Sequence, residues 1–308
     1  MALLEARGLH KRFGEVSAVA GVDLDVEPGE IIGLVGPDGA GKTTTLRLLV
    51  GVLDPDQGHA SLDGLRVDQD PDQVRERLGY MPQQYSLYAD LTVAENLRFF
   101  ADMYFVARAD RKARLARLYE FSRLEPYARR RAGELSGGMY KKLALSCNMI
   151  HSPKLLLLDE PTTGVDPLSR RELWEILYAF AADGVAIVVS TPYMDEAERC
   201  HRVGLMSGGR FLQTDTPKRI LASFPERIFE ALVPETSVAR TALEDVDGVL
   251  RTYPSGQVLK IACSPGFRAE DIGSALKEAG VSVSSVEQVV PTFEDVFLSW
   301  ESGQETSS

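Results

Sequence analysis

Residues 36–43 read Gly-Pro-Asp-Gly-Ala-Gly-Lys-Thr, a complete G-x-x-x-x-G-K-T run. Few eight-residue strings restrict a fold so strongly, because the run works only between a strand and a helix. Both neighbours are legible: Ile31 to Val35 is an apolar strand, and a helix is predicted from about Lys42 to Gly51, where Asp54-Pro55-Asp56 and Gly58 stop it. In that setting Gly36, Gly39 and Gly41, with Ala40, let backbone N–H groups turn inward around phosphate oxygens, and the helix start adds partial positive charge. Lys42 neutralises phosphate charge, the Thr43 hydroxyl is the expected Mg²⁺ ligand, and Thr44 joins the phosphate-binding set. A nucleoside triphosphate with Mg²⁺ is the expected ligand.

A second apolar run completes the chemistry. Leu155 to Leu158 has the unbroken character of a strand buried in a parallel sheet, and it delivers Asp159 and Glu160 at its C-terminal end. Asp159 is suited to holding Mg²⁺ through water, and Glu160 to polarising an attacking water as general base. Val185 to Ser190 is a third buried strand, and Leu168 to Ala182 an amphipathic helix between the two. Strands alternating with helices predict an α/β core. Residues 1–30 instead alternate in short runs, with turn signals at Gly14, Gly21 and Pro28-Gly29, and predict antiparallel strands. From about Val93 to Ile150 the pattern is helical, interrupted near Pro126 and Gly133.

Composition excludes several classes. A net charge of −11 argues against nucleic-acid binding, which depends on Lys and Arg at phosphates, and against broad adhesion to anionic lipid. No stretch approaches the roughly 18–20 apolar residues of a membrane span, and the start has no secretory order of charges and apolar residues. The expectation is a cytoplasmic protein that meets a membrane only through a protein partner. Cys147, Cys200 and Cys263 are too scattered for a disulfide framework or a zinc site and are expected as buried thiols.

Leu135-Ser136-Gly137-Gly138-Met139 stands shortly before the Asp159–Glu160 strand. Ser136 with the N–H groups of Gly137 and Gly138 would open a helix beginning near Met139, a second phosphate-binding helix start. Together with the glycine-rich loop, this motif makes residues 3–220 resemble the ATP-binding-cassette (ABC) ATPases. The resemblance implies an ABC-type P-loop NTPase: a RecA-like core, an antiparallel β subdomain and an α-helical subdomain. It also implies two subunits closing head-to-tail around two nucleotides, with Ser136, Gly137 and Gly138 meeting the nucleotide of the opposite one. Position by position, Phe13 falls where an aromatic ring stacks on adenine. Gln83, in Gly79-Tyr80-Met81-Pro82-Gln83, falls where a glutamine touches Mg²⁺ and water, and Asp166, in Gly164-Val165-Asp166-Pro167, falls where the loop crosses the dimer interface.

This sequence departs from the family pattern twice. A histidine is expected after the third buried strand, and Pro192 holds its place in Ser190-Thr191-Pro192-Tyr193-Met194. Losing one preorganised donor to developing charge costs about 10²–10³ in rate. None of the four histidines falls at a substituting position, and Thr191 or Tyr193 is the candidate source of a hydroxyl. Asp38 stands where Asn or Ser is usual, and a carboxylate about 6 Å from a phosphate charge is repelled by roughly 3 kcal/mol at an effective dielectric of 20.

The resemblance also narrows the class. Met194 to Glu198, Met139, and Pro291-Thr292-Phe293-Glu294-Asp295-Val296-Phe297 resemble the bacterial multidrug and polyketide exporter ATPases, whose membrane domain is a separate chain. The reading is therefore a Mg-ATP-hydrolysing motor paired with a transmembrane permease subunit and a second ATPase subunit, identical or not. The alternative, suggested by Pro192 and Asp38, is a hydrolysis-impaired regulatory half of a heterodimer. Tyr85-Ser86-Leu87-Tyr88-Ala89-Asp90-Leu91 is expected in the groove for the permease, or as packing for the helical subdomain. Domain expectations are 1–223 for the cassette, with its helical subdomain at about 85–150, 224–301 for a small α+β accessory domain of ferredoxin-like type, and 302–308 for a disordered tail.

Overall fold

Three short, largely apolar runs form the middle of the main sheet, and every residue in them is buried. They are numbered here within the chain order of a computed structural model that describes residues 2–85 and 87–305, with the backbone alone from 301 onward. β1 (Leu4–Phe13) and β2 (Val16–Val26) make a hairpin, and β3 (Ile31–Val35) runs through the glycine-rich loop into α1 (Lys42–Val50). β4 (Gln57–Leu62), β5 (Leu65–Arg66), α2 (Pro71–Glu76) and β6 (Leu78–Met81) follow. The helices α3 (Val93–Met103), α4 (Arg108–Ser122) and α5 (Gly137–Met149) lead to β7 (Leu155–Asp159) and α6 (Pro167–Ala182). β8 (Ala186–Thr191), β9 (Arg202–Ser207), β10 (Arg210–Asp215) and α7 (Pro217–Ser223) come next.

The six-stranded sheet has the order β10-β9-β3-β8-β7-β6. All its pairs are parallel except β10 with β9, an antiparallel edge whose residues are mostly half-buried or exposed. Burial on both faces explains why β3, β7 and β8 carry almost no polar residue until their C-terminal ends. A separate sheet, β2-β1-β4-β5, is antiparallel, in line with the alternation read along residues 1–30. Ile32, Leu34, Leu46, Leu49, Leu157 and Val188 belong to the apolar core between these elements.

The helical stretch is broken at one more point than the sequence signals. Besides the short 3₁₀ turns at Glu125–Tyr127 and Ala132–Glu134, the chain turns at residues 104–107, where Phe105 takes φ 52°. No glycine or proline marks that turn, which is why residue-type signals pass over it. α5 also begins at Gly137 rather than near Met139, because the Ser136 hydroxyl accepts from Met139 N–H and so caps a helix already under way.

The chain divides into two compact units, Met1–Pro217 and Lys218–Ser308, a division that falls earlier than 223/224. In the second, β11 (Arg227–Leu232), α8 (Thr236–Leu243), β12 (Val249–Ser255), β13 (Val258–Cys263), α9 (Ala269–Glu278) and β14 (Ser285–Val289) precede α10 (Phe293–Glu305). The sheet order β12-β13-β11-β14, antiparallel throughout, is the split βαββαβ arrangement. α10 carries helical backbone to Glu305, into the segment read as a disordered tail, because a helix already nucleated at Phe293 adds residues without a new nucleus. Residues 306–308 lie outside the described residues. Cys147, Cys200 and Cys263 are buried free thiols, and no helix among the described residues is long and apolar enough to cross a membrane.

Candidate functional site

Parallel pairing in register brings the site to the carboxyl ends of the central strands of the main sheet. Val35 at the end of β3 lies opposite Thr191, and Asp159 at the end of β7 lies opposite Ser190. Residues that leave these three strands therefore converge, as ligand-binding residues do at the carboxyl ends of parallel strands.

The glycine-rich loop enters α1 at Gly41, whose φ is 101° and whose Cβ, were it present, would stand 2.4 Å from the Ala18 carbonyl oxygen. Only glycine fits there. Lys42 follows at 4% exposure, its Nζ donating to the carbonyls of Gly36 at 2.7 Å and Pro37 at 2.8 Å. Burial pulls this ammonium below its ordinary pKa, against the raising fields of Glu160, Asp38 and Asp159. A buried ammonium held by two neutral carbonyls is an electrostatic match for phosphate oxygens. Asp38 itself is exposed, as is Gly39, while Ala40 is buried and Thr44 half-buried.

Thr43 Oγ1 donates to Asp159 Oδ1 at 3.0 Å, and Ser190 Oγ donates to the same oxygen at 2.7 Å. The other oxygen, Asp159 Oδ2, is buried and has no hydrogen-bond partner among the described residues. An unpartnered buried carboxylate oxygen beside a threonine hydroxyl fits a hard cation that takes oxygen ligands, and Mg²⁺ is bound in this way, through one or two carboxylates and substrate phosphates. No cluster of three or more His, Cys, Asp or Glu able to hold a metal occurs among the described residues.

Glu160 is 7% exposed and takes φ 49°, a left-handed conformation uncommon for a residue with a side chain. Its N–H donates to Ser190 O at 3.2 Å and Ser190 Oγ at 3.0 Å. Its carboxylate Oε2 accepts from Gln83 Nε2 at 2.9 Å and from Thr163 Oγ1 at 3.2 Å. The carboxylate is thus aimed by two neutral donors. Neither contact is visible in the sequence beyond Gln83 itself, and Ser190 and Thr163 carry no signal of their own except their nearness to strand ends.

Other expected residues stand apart. Phe13 is half exposed at 50%. Ser136 and Gly137 are exposed at the head of α5, and Asp166 is exposed at the head of α6, where it accepts from Ser169 N–H at 3.0 Å. That bond holds the Asp166 carboxyl below its usual range. Among the described residues, no hydrogen bond joins Phe13 or Ser136–Gly138 to the Lys42–Glu160 cluster.

Of the two hydroxyls suggested as substitutes for the missing histidine, that of Thr191 is already engaged. Thr191 Oγ1 donates to the fully buried Glu196 at 2.7 Å and accepts from Tyr193 N–H at 3.1 Å. The Tyr193 ring lies under the Arg170 guanidinium, 4.3 Å from its centroid. Of the segment 85–91, Tyr85 stacks on Tyr140 at 5.7 Å and Leu87 is buried, while Tyr88 is exposed; Ser86 lies outside the described residues.

A family profile described as ABC transporter matches residues 19–163. Over 314 residues the chain is 41% identical to the probable multidrug ABC transporter ATP-binding protein YbhF of Escherichia coli (strain K12), covering 99% of this chain and 53% of that protein. The chain thus spans about half the length of that relative. It is 40% identical over 260 residues to the Nod factor export ATP-binding protein I of Paraburkholderia xenovorans (strain LB400), covering 84% of this chain and 85% of the relative. A solved structure described as the ATP-binding subunit of an ABC transporter matches with a TM-score of 0.66 and 32% identity, over 72% of this chain and 93% of that one.

Proposed function

The chain belongs to the family of ABC transporter ATP-binding subunits, and from that premise we propose that it is the Mg-ATP-hydrolysing motor of an exporter. The observation that carries the reading is the convergence of Lys42, Thr43, Asp159 and Glu160, with Thr43 bonded to Asp159 and Gln83 to Glu160.

Lys42 releases the carbonyls of Gly36 and Pro37 and takes the phosphate oxygens. Phe13 offers its exposed ring to the adenine. Thr43, Asp159 and Gln83 would hold Mg²⁺, which would supply charge neutralisation at the phosphate oxygens. Glu160 accepts a proton from the attacking water as the water oxygen bonds to the γ-phosphorus and the bond from that phosphorus to the ADP oxygen breaks. Gln83 and Thr163 keep the Glu160 carboxylate turned toward that water. Ser136, Gly137 and Gly138 present the head of α5 to the nucleotide of a second ATPase subunit, with Asp166 at the same interface.

Export is supported by the names of the relatives, one a multidrug and one a Nod factor exporter component. The membrane path is proposed to lie in a separate permease, which holds this subunit at the cytoplasmic face. Tyr88, Phe99, Met103 and Phe105 are exposed apolar residues in the helical region, Phe105 at 92%, and they suit a protein interface better than water.

Steady-state Mg-ATP hydrolysis by the full chain tests the reading, with Glu160→Gln as reference. Removing a general base lowers turnover by about 10²–10⁴, so phosphate release should fall to background in the variant. Equal turnover in both proteins would defeat the assignment.

A further inference from the structure

The left-handed backbone at Glu160 needs partners to hold it, because a non-glycine residue in that region costs on the order of 1 kcal/mol or more. Its N–H is fixed by Ser190 on β8. Its carbonyl accepts from Thr163 N–H at 3.3 Å and from Lys141 Nζ at 3.3 Å, and the same ammonium donates to Thr163 O at 2.5 Å. Lys141 therefore brackets the turn 160–163 from both ends of its backbone. Carbonyl oxygens are good partners for an ammonium, and each such bond is charge-assisted.

Lys141 lies in the second turn of α5, the helix whose head is Ser136. That helix is itself seated hard against the segment after Glu160. A Cβ on Gly138 would stand 2.3 Å from Ser169 Oγ and 2.4 Å from Ser169 Cβ, so the helix backbone meets the first turn of α6 with no room for a side chain. Gly137 lies nearby, its Cβ position 3.8 Å from Gly164 O. α5 is thus a rigid anchor beside the turn, and Lys141 is the side chain that reaches from it to the Glu160 backbone.

We propose that Lys141 is a positioning residue for hydrolysis, which holds the Glu160 main chain in its left-handed conformation and so aims the Glu160 carboxylate. This rests on the reading of Glu160 as general base. Lys141 touches no reacting atom; it acts through the backbone of the residue that does. Burial draws its ammonium down to about 8, against the raising fields of Glu160 and Glu196.

Full-length wild type, Glu160→Gln, Lys141→Met, Lys141→Gln and Lys141→Arg are compared in Mg-ATP hydrolysis after thermal melting has shown which variants fold. Misplacing a catalytic group by about 1 Å costs about 10²-fold. Lys141→Met and Lys141→Gln should lose about 10- to 100-fold in kcat with KM for ATP little changed, and Lys141→Arg should recover most of the loss. Amide hydrogen exchange of residues 160–166 in the nucleotide-free protein should quicken in Lys141→Met and stay slow in Lys141→Arg. Wild-type kcat in a folded Lys141→Met or Lys141→Gln overturns the proposal, as does a loss that lies in KM. No turnover of the wild type above Glu160→Gln defeats the function reading instead. Hydrogen exchange then still judges the tie, with unchanged protection overturning it.

Discussion

Pro192 occupies the strand exit where a donor toward the γ-phosphate is expected, and the hydroxyl of the neighbouring Thr191 is committed to Glu196. A chain with the remaining groups in place should therefore hydrolyse slowly rather than not at all. Pro192→His should raise kcat by at least about tenfold, less than the full 10²–10³ of a donor preorganised by its surroundings. Phosphate release under saturating Mg-ATP checks this, and an unchanged rate would mean that Pro192 does not limit turnover. Lys42, Thr43, Asp159 and Glu160 were legible because each sits in a local string with fixed spacing. Lys141 was not, since it acts on main-chain carbonyls of Glu160 and Thr163, which carry no residue-type signal. The conformation of Glu160 was hidden for the same reason: nothing in Leu-Asp-Glu-Pro announces a positive φ.

Elements were legible where one periodicity dominates. The buried strands β3, β7 and β8 announce themselves as apolar runs, whereas the turn at 104–107 and the start of α5 depend on caps and long-range packing. The turn after β8, residues 194–199, shows what such packing adds. Glu196 is fully buried there and accepts from Thr162 Oγ1 at 3.0 Å, Thr191 Oγ1 at 2.7 Å and Trp174 Nε1 at 3.3 Å, with Arg170 Nε at 3.6 Å. One carboxylate thereby joins the segment after β7, the end of β8 and α6. Glu196→Ala would leave three donors without their acceptor and the Arg170 guanidinium with Asp195 at 3.3 Å as its remaining carboxylate, at about 3–5 kcal/mol for a broken buried pair. At about 2–4 °C per kcal/mol for a unit of this size, Tm should drop by roughly 10 °C. A melt followed by circular dichroism measures it, and a loss below about 2 °C would show that water or a neighbour replaces the carboxylate.

At the scale of the whole molecule the two units have separate chemistry and separate tests. In the first, His151 stacks on Tyr104 at 3.9 Å and its Nε2–H donates to Leu78 O at 3.0 Å, while Nδ1 is buried without a partner among the described residues. A second proton on Nδ1 would have no acceptor, and burial lowers this imidazole to about 4. With the folded value below the ordinary 6.5, the unfolded chain binds the extra proton first as pH falls. Stability is therefore unaffected above about 6.5 and declines from there toward 4, by on the order of 1–3 kcal/mol. Tm measured from pH 7 to 5 should fall more steeply in wild type than in His151→Gln, and parallel curves would assign the decline to other groups.

The second unit, residues 218–308, carries its own apolar cluster of Phe229, Leu259, Ile261, Ile272 and Leu276 under a four-stranded sheet. Its α+β character was legible in the sequence, but the reason for Pro291 to Phe297 was not. Thr292 and Asp295 cap α10, and the buried Asp295 also takes the Tyr253 hydroxyl and the Lys260 ammonium, the latter at 3.2 Å. That network pins the helix to β12 and β13 with every carboxylate oxygen used, although burial raises the Asp295 carboxyl. A core of this kind, with its polar groups satisfied, is enough for independent folding at this length. Residues 218–308 expressed alone should give native near-ultraviolet dichroism and one cooperative melt, with a stability of about 5–10 kcal/mol. Asp295→Ala should lower that melt markedly, since it strands a buried ammonium. A gradual, non-cooperative loss of structure in the isolated unit would mean that its core closes only when it is joined to the rest of the chain.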